Sequence, residues 1–461
     1  MTTASSMISH AFAVWWKDVD RWSVNSFRSS SWQWPPDVIK KLSVALERRN
    51  EPVDKATFEL KPEHFLSLRF SGEIEPRDLH GKSEFKGNLF FARAGDIIYS
   101  KIDVRNGAIG IVPDKFSVVT VTSEFPVYQI RRDVALPEYI QLVFRTNHFR
   151  TIINGMVSGT SGRKRVQPDE LENVEIPLPT LTQQKAIIDR WHKAQERIIT
   201  KQAAVAKHKA SIDNKSFADL GLKSPGQDDV PKAFALLWKD IDRWGVDFNF
   251  LHQSGADLSS GKYPVVELGS LLELVQYGTS AKANTNNDGV AVVRMNNIVD
   301  GQFNLSNLKY IRLPEAEVQR LLLKDGDILF NRTNSKELVG KCAVFHAQGE
   351  FIFASYLIRV RAISQKADAD YLTYVINSPI GRQQINAISR QIIGQANVNS
   401  EELRALRIPL PPLATQQKIM ERVADGRAEI DKLQEAAKSI SSDINAEVEA
   451  LVLGSKTLRE I

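Results

Sequence analysis

From Leu413 to about Leu453 apolar or small residues fall at Ile419, Val423, Ile430, Leu433, Ala437, Ile440, Ile444, Val448 and Leu451, mostly in steps of three and four. Lys, Glu, Asp and Gln fill the positions between them. A weaker stripe runs from Leu181 to about Phe217 through Ile187, Trp191, Ala194, Ile198, Val205 and Ile212, with no Pro or Gly inside it. A spacing near 3.5 residues over several heptads predicts two long helices with coiled-coil seams, each spanning roughly 55–60 Å. Ordinary amphipathic surface helices are the alternative, because a stripe does not name its partner. Since one seam occurs in each half of the chain, the simplest partner for each is the other. A pseudo-twofold relation between the halves would make the pair antiparallel.

The pattern upstream of each stripe is different. β-branched and aromatic segments at Ala108–Val112, Ser117–Val121 and Phe125–Ile130, and again at Gly289–Arg294 and Phe351–Arg361, predict strands. Helical stretches follow at Pro137–Ile153 and Ala369–Ile388, then a glycine-bearing polar loop, then a short helix opened by Pro168 or Ser400. Each series ends on Ile-Pro-Leu-Pro, at 176–179 and 408–411. A Pro-x-Pro pair cannot continue a helix or a central strand, so this segment is expected to be a rigid extended exit from a compact domain.

These two series are copies of one another. FAVWWKDVDRW (Phe12–Trp22) returns as FALLWKDIDRW (Phe234–Trp244), and AGDIIYS (Ala94–Ser100) returns as DGDILFN (Asp325–Asn331). Gly162, Val166, Glu170 and Leu171 match Gly394, Val398, Glu402 and Leu403, and the exits ENVEIPLPTLTQQKAI and RALRIPLPPLATQQKI complete the set. The order is kept while the spacing drifts slightly, which describes a duplication with variable loops. Ala414 reads as one extra residue that sets the second long helix a step later than the first. The boundaries expected are a first domain at 1–179, a helix at 180–217, a linker at 218–233, a second domain at 234–411 and a C-terminal helix at 412–455. The aromatic opener is expected to pack in a core, since large aromatics bury the most area.

Composition adds bounds. With 461 residues, 43% hydrophobic and 25% charged, the chain is an ordinary folded protein of two or more domains. Sixty Lys+Arg against 55 Asp+Glu permit a polyanionic partner without requiring one. The single cysteine, Cys342, excludes an intramolecular disulfide. No Cys/His cluster has ligand spacing, so no bound metal is expected. Met1–His10 lacks a signal-peptide pattern and no stretch has the apolar length of a membrane span, so a cytoplasmic location is expected.

Catalytic motifs are sparse. Gly340-Lys341 is followed by Cys342 and lacks the upstream glycine of a phosphate loop. Neither a nucleophile elbow nor a zinc helix motif occurs, and Trp34-Pro35-Pro36-Asp37 lacks the polar lead and aromatic follower that amino-methyltransferases place over a base. Asp37, Glu59 and Lys61 form a loose acidic-acidic-lysine set that could hold Mg2+ in a nuclease, the main enzymatic alternative.

Polar loops of a kind that contact nucleic acid are better represented. In the second half they carry Thr279, Ser280 and Lys282; Arg294, Asn296 and Asn297; Arg332, Thr333, Asn334, Ser335 and Lys336; and Gln395 with Asn397. The first half offers Lys101, Arg105 and Asn106, then Ser161, Arg163, Lys164 and Arg165, in the corresponding places. Arg and Asn pair bidentately with base edges, while Lys, Ser and Thr suit phosphate. Scaffold residues repeat between the copies and the polar tips do not, as expected of two equivalent domains that read two different sequences.

GDILFNRTNSKELVGK (Gly326–Lys341), VQYGTSAKAN (Val275–Asn284), VRMNNIVDGQF (Val293–Phe303) and the two IPLP exits resemble the specificity subunit of type I restriction-modification systems. SKIDVRNGAIGIVP (Ser100–Pro113) is similar to another subtype of its recognition domain. The resemblance implies a mixed α/β protein of two tandem globular target-recognition domains, separated by two long antiparallel coiled-coil helices in a pseudo-twofold arrangement. It implies further that each domain reads half of a bipartite, asymmetric site in double-stranded DNA and that the helices set the spacing. Two methyltransferase subunits carrying S-adenosylmethionine would dock on the chain, and ATP- and Mg2+-dependent restriction/translocase subunits would join them. The chain itself would hold no cofactor and catalyse nothing. A coiled-coil interaction protein without DNA binding is the remaining alternative.

Overall fold

The structure is a computed structural model that describes residues 32–77, 87–156, 165–223, 237–238, 258–392 and 395–457. It divides into two compact units, one of residues 1–201 with 435–461 and one of residues 202–434.

The first unit contains strands β1 (Ile39–Lys41), β2 (Leu46–Arg49), β3 (Leu66–Leu68), β4 (Ile74–Pro76), β5 (Leu89–Arg93), β6 (Ile97–Tyr99), β7 (Ile109–Ile111), β8 (Val118–Thr122) and β9 (Val127–Ile130). Helices α1 (Pro137–Arg145), α2 (Asn147–Met156) and α3 (Pro168–Glu172), strand β10 (Glu175–Pro177) and the start of α4 (Leu181–Leu220) follow. The second unit holds β11 (Val265–Glu267), β12 (Leu272–Tyr277), β13 (Val290–Val293), β14 (Ile298–Val299), β15 (Gln302–Phe303), β16 (Lys309–Ile311), α5 (Glu315–Leu321), β17 (Asp327–Asn331), β18 (Thr333–Asn334), β19 (Cys342–Val344), β20 (Phe351–Phe353) and β21 (Leu357–Ala362). It continues through α6 (Ala369–Asn377), α7 (Pro379–Ile388), β22 (Arg390–Ile392), β23 (Gln395–Asn397), α8 (Ser400–Arg404), β24 (Arg407–Pro409) and the start of α9 (Leu413–Leu453).

The duplication is visible in the topology. Four antiparallel strands run β2-β9-β6-β7 in one unit and β12-β21-β17-β19 in the other, each in the same order of equivalents. The prolyl exits are edge strands, as proline requires. Ile39 pairs with Pro177 and Val265 with Pro409 in two-stranded antiparallel ladders that bury Ile176 and Ile408.

Two expectations need correction. The stretches at 137–153 and 369–388 are each two helices, broken at Thr146 and Ser378, whose hydroxyls donate to the carbonyls of Val143 and Val375 at 2.7 Å. Periodicity runs through the break because both short helices bury a face against the same core. Ala414 is not an extra residue before the helix, because α4 and α9 begin at equivalent positions, Leu181 and Leu413. The long helices have 40 and 41 residues, so the additional residue is absorbed further along.

α4 extends to Leu220, three residues past Phe217, and both long helices stop in the same way. Gly221 donates to the Ala218 carbonyl and Leu222 to that of Phe217; Gly454 donates to Leu451 and Ser455 to Ala450. Both glycines have positive φ, +72° and +83°, the left-handed conformation that lets the chain turn back on the last carbonyls.

Within each unit the helices run antiparallel. Arg190, near the start of α4, bonds Glu447, near the end of α9, at 2.8 Å; Arg422, near the start of α9, bonds Asp219, near the end of α4, at 2.6 Å. Seam residues Ile187, Ala194, Ile419, Val423, Ile430, Ile444, Val448 and Leu451 are buried, while Ile198, Val205, Leu433, Ala437 and Ile440 are half-buried. Of the aromatic opener only Leu237 and Trp238 are described; they are 62% and 76% exposed, so at these two positions the expected core packing is not found.

Candidate nucleic-acid interface

The repeated Gly-Asp-Ile builds the base of each candidate site. Asp96 and Asp327 are buried, and each carboxylate accepts from a backbone N–H three residues earlier, Arg93 at 2.9 Å or Lys324 at 2.8 Å. This closes the turn that launches β6 or β17. The counter-charge differs between the copies. Arg49 on β2 sits 2.8 Å from Asp96, whereas Arg361 on β21 sits 2.7 Å from Asp327, with Arg359 at 3.5 Å. Arg49 donates across its strand pair to Gln129 on β9, and Arg359 donates to Gln276 on β12. Arginine and glutamine have therefore changed strands within one antiparallel pair, and the buried carboxylate stays neutralised either way.

From that base each strand delivers one residue into the same backbone frame. The N–H of Lys101 donates to the Glu124 carbonyl at 3.0 Å, and its carbonyl accepts from Val166 at 2.8 Å. The N–H of Arg332 donates to the Tyr356 carbonyl at 3.0 Å, and its carbonyl accepts from Val398 at 2.9 Å. Lys101 and Arg332 are thus positional equivalents, as are Glu124 and Tyr356.

The side chains mounted on this frame are unlike. In the first unit Arg165 pairs with Glu124 at 3.1 Å beside Lys101. Lys101 and Arg105 are half-buried and Asn106 exposed, with the loop shaped by Ser100 Oγ accepting from Asp103 N–H. Ser161, Arg163 and Lys164 lie outside the described residues.

In the second unit the Arg332 guanidinium lies 5.0 Å from the centroid of the Tyr277 ring, and the Tyr277 hydroxyl accepts from Ser400 N–H at 3.1 Å. The Thr333 hydroxyl donates to Asn397 Oδ1 at 2.7 Å across the β18–β23 pair, and Asn334 Nδ2 reaches Met295 Sδ at 3.6 Å. Thr279 is bridged through its backbone to Phe353 and Ser355. The loops at 277–282, 294–297, 332–336, 354–356 and 395–397 are brought together by these bonds.

Ser280, Lys282, Asn296, Lys336 and Gln395 are exposed, and Arg294, Arg332, Thr333, Asn334, Ser335 and Asn397 are half-buried. Glu337, beside them, is held below the usual carboxylate range by its own backbone N–H and by the Ser335 hydroxyl. Thr279 and Asn297, expected to face a nucleic acid, are 8% and 2% exposed. Asn297 Oδ1 accepts from Arg294 N–H and its Nδ2 donates to the Asn304 carbonyl, so the amide is used inside the loop. Arg294 in turn donates through Nη2 to the Asn307 carbonyl at 2.8 Å. Tyr356, 51% exposed, and Glu124 were not among the expected residues. Both stand in apolar or strand-like surroundings, and only their equivalent spacing from the two Gly-Asp-Ile turns marks them.

Residues 261–439 match the family described as the type I restriction modification DNA specificity domain, a span that includes Tyr277, Arg332, Tyr356 and Asn397. The StySPI type I restriction enzyme specificity subunit of Salmonella potsdam is 23% identical over 318 residues, covering 68% of this chain and 64% of that one. The EcoKI type I restriction enzyme specificity subunit of Escherichia coli is 22% identical over 304 residues, covering 65% of this chain and 61% of that one. Over these spans the chain is similar to type I restriction enzyme specificity subunits. It spans less than two thirds of the length of these two curated relatives. A chain from a solved structure titled for complex assembly and conformational transition of the type I R-M system shares the fold, with a TM-score of 0.52 at 15% identity over 90% of this chain and 97% of its own. The segment matched by the DNA specificity domain ends inside α9, so it takes in one complete copy of the frame and the exit that follows it.

Proposed function

We propose that this chain is the DNA-reading adaptor of a type I restriction-modification complex. Its two target-recognition domains, 1–179 and 234–411, each read one half of a bipartite, asymmetric site in double-stranded DNA. The helical segments 180–217 and 412–455, joined to the second domain through 218–233, set the distance between half-sites and dock two methyltransferase subunits. S-adenosylmethionine, ATP and Mg2+ belong to those partners and to the restriction/translocase subunits, and the chain carries no catalytic step. Its place is the cytoplasm; among the described residues no helix is long and apolar enough to cross a membrane.

The observation that carries this reading is the repeated frame with unlike tips. Lys101 with Glu124 and Arg165 in one copy, and Arg332 with Tyr277, Tyr356 and Asn397 in the other, occupy matching positions with different hydrogen-bonding chemistry. Identical scaffolds holding different donors and acceptors are what two half-sites of different sequence require. Lys282 and Lys336, exposed beside the second set, suit phosphate contacts. Two helices of 40 and 41 residues, about 60 Å each, are long and stiff enough to space half-sites by one or more helical turns of about 34–36 Å.

Selection of the full-length chain against random-sequence duplexes tests the proposal. Enrichment of two unlike half-sites at one fixed spacing is expected, with affinity falling steeply between about 50 and 200 mM salt. Binding with no sequence preference, or a single half-site read alike by both domains, would overturn it.

A further inference from the structure

Arg332 is held as a reader of one base type should be held. Its backbone is bonded on both sides, to Tyr356 and Val398, and its guanidinium lies over the Tyr277 ring, itself anchored at the hydroxyl by Ser400. This cation–π contact restrains the guanidinium at little further entropic cost. Among the described residues its terminal nitrogens take no hydrogen bond, and its buried Nε takes none either. Two other arginines of the candidate loops are engaged: Arg165 is paired with Glu124, and Arg294 is bonded to the Asn307 carbonyl.

Asn397, on the strand paired with Thr333, adds donors near Arg332. Thr333 occupies Asn397 Oδ1, which leaves the Asn397 amide its N–H groups to present. At the place where the first copy has the carboxylate of Glu124, the second has Tyr356. A planar donor fork, with Tyr356 where the first copy has a carboxylate, matches the major-groove edge of guanine, which presents two acceptors, O6 and N7. Adenine presents one acceptor and one donor there, so a fork of N–H donors meets it with only one hydrogen bond.

We infer that Arg332 reads a guanine in the half-site of the second domain and that Tyr277 is its positioning residue. The inference rests on the proposed function and adds to it the base and the residue that reads it. In the first copy, Lys101 beside the Glu124–Arg165 pair mixes acceptor and donor, so the same position there reads a different base or contacts phosphate.

The test is selection of the full-length chain against random duplexes, with Arg332→Lys, Arg332→Ala, Tyr277→Phe and Tyr277→Ala beside the unaltered protein. The unaltered chain is expected to require guanine at one position of one half-site. Arg332→Lys, which keeps the charge and loses the fork, is expected to lose about 5- to 150-fold discrimination there while the other half-site is unchanged. Tyr277→Phe keeps the preference and Tyr277→Ala weakens it at that same position. Arg332→Lys carries the test if Arg332→Ala fails to fold. Equal weakening on every sequence, with the salt slope reduced by about one, would make Arg332 a phosphate contact and overturn the inference while leaving the proposed function standing. An affected position that prefers any base but guanine overturns it as well. An unaltered chain without sequence preference overturns the proposed function and the inference together.

Discussion

The side chain of Gln416 accepts a hydrogen bond from the backbone N–H of Asp368 at 2.9 Å, and its amide nitrogen donates to the carbonyls of Pro411 at 2.8 Å and Lys366 at 3.3 Å. Gln184 does the same in the other copy, accepting from Leu136 and donating to Pro179 and Val134. Both glutamines are fully buried. One glutamine per copy, three residues after Leu181 or Leu413, therefore ties the first turn of a long helix to the prolyl exit and to the start of α1 or α6.

Replacing Gln416 by Ala orphans one N–H and two carbonyls in a closed interior, each worth about 1–3 kcal/mol when left unpaired. The expected result is a loss of about 3 kcal/mol in urea unfolding of the second unit, and Gln184→Ala should cost the first unit a similar amount. Gln416→Glu keeps the acceptor but points an anion at two carbonyls, so it should be no better than Ala. A loss below about 1 kcal/mol in both variants would mean that water re-satisfies these groups.

Asp327 should be the more sensitive of the buried charges. It is fully buried against Arg361 and Arg359, and Arg359 is itself 5% exposed, with burial pulling its guanidinium below the ordinary arginine range against the raising influence of Asp327. Asp327→Asn leaves a buried cation without its counter-ion, which costs about 3–5 kcal/mol. Adding Arg359→Met should recover part of that loss, since the stranded charge is then gone. Denaturant unfolding of the single and double variants measures both, and strict additivity of the two substitutions would show that the pair is not coupled.

Much of this architecture was readable from residue order. The α9 stripe, the IPLP exits and the short helices opened by Pro168 and Ser400 rest on local rules, periodicity and proline chemistry, and they lie where those rules put them. Three features did not announce themselves, each for a physical reason. The helix breaks at Thr146 and Ser378 depend on one hydroxyl folding back on a carbonyl while the apolar period continues. The register at Leu413 is set by the Gln416 clamp, and the two Gln-Gln-Lys triplets lie one residue out of step with it. Tyr356 lies in FIFASYLIRV, an apolar run that reads as one strand, yet the chain turns at Ala354–Tyr356 and exposes the ring. In the candidate site the loops were legible and the inward use of Asn297 was not, because an Asn that caps its own loop and an Asn that faces a base have the same sequence signature.

Cys342 offers a probe of the second unit. Its thiol is fully buried between Thr373 and Asn377, and burial pushes its pKa up to about 12. Thiolate, the reactive form, is therefore suppressed at neutral pH. Thiol-specific reagents are expected to label the native chain only as fast as the second unit opens, with full labelling after denaturation. Rapid labelling under native conditions would contradict this burial.

The pH dependence of the first unit should be dominated from the acid side by His148. Burial against the Trp32 ring, 4.2 Å away between centroids, lowers its pKa from the ordinary 6.5, with Glu449 opposing in part. A histidine whose folded pKa is depressed binds fewer protons than in the unfolded chain once the pH drops below about 6.5, so stability falls in that direction. His346 in the second unit has the opposite sign: although burial pulls it down, Asp325 and Asp370 raise it overall, so its contribution is complete below 6.5 and fades as the pH rises through the raised value. Acidifying from pH 7.5 to 5.5 is therefore expected to destabilise the first unit, and His148→Phe, which keeps an aromatic ring against Trp32 but cannot protonate, should flatten that dependence. Unfolding curves at several pH values for both proteins decide it, and an unchanged slope in His148→Phe would assign the acid sensitivity to other groups.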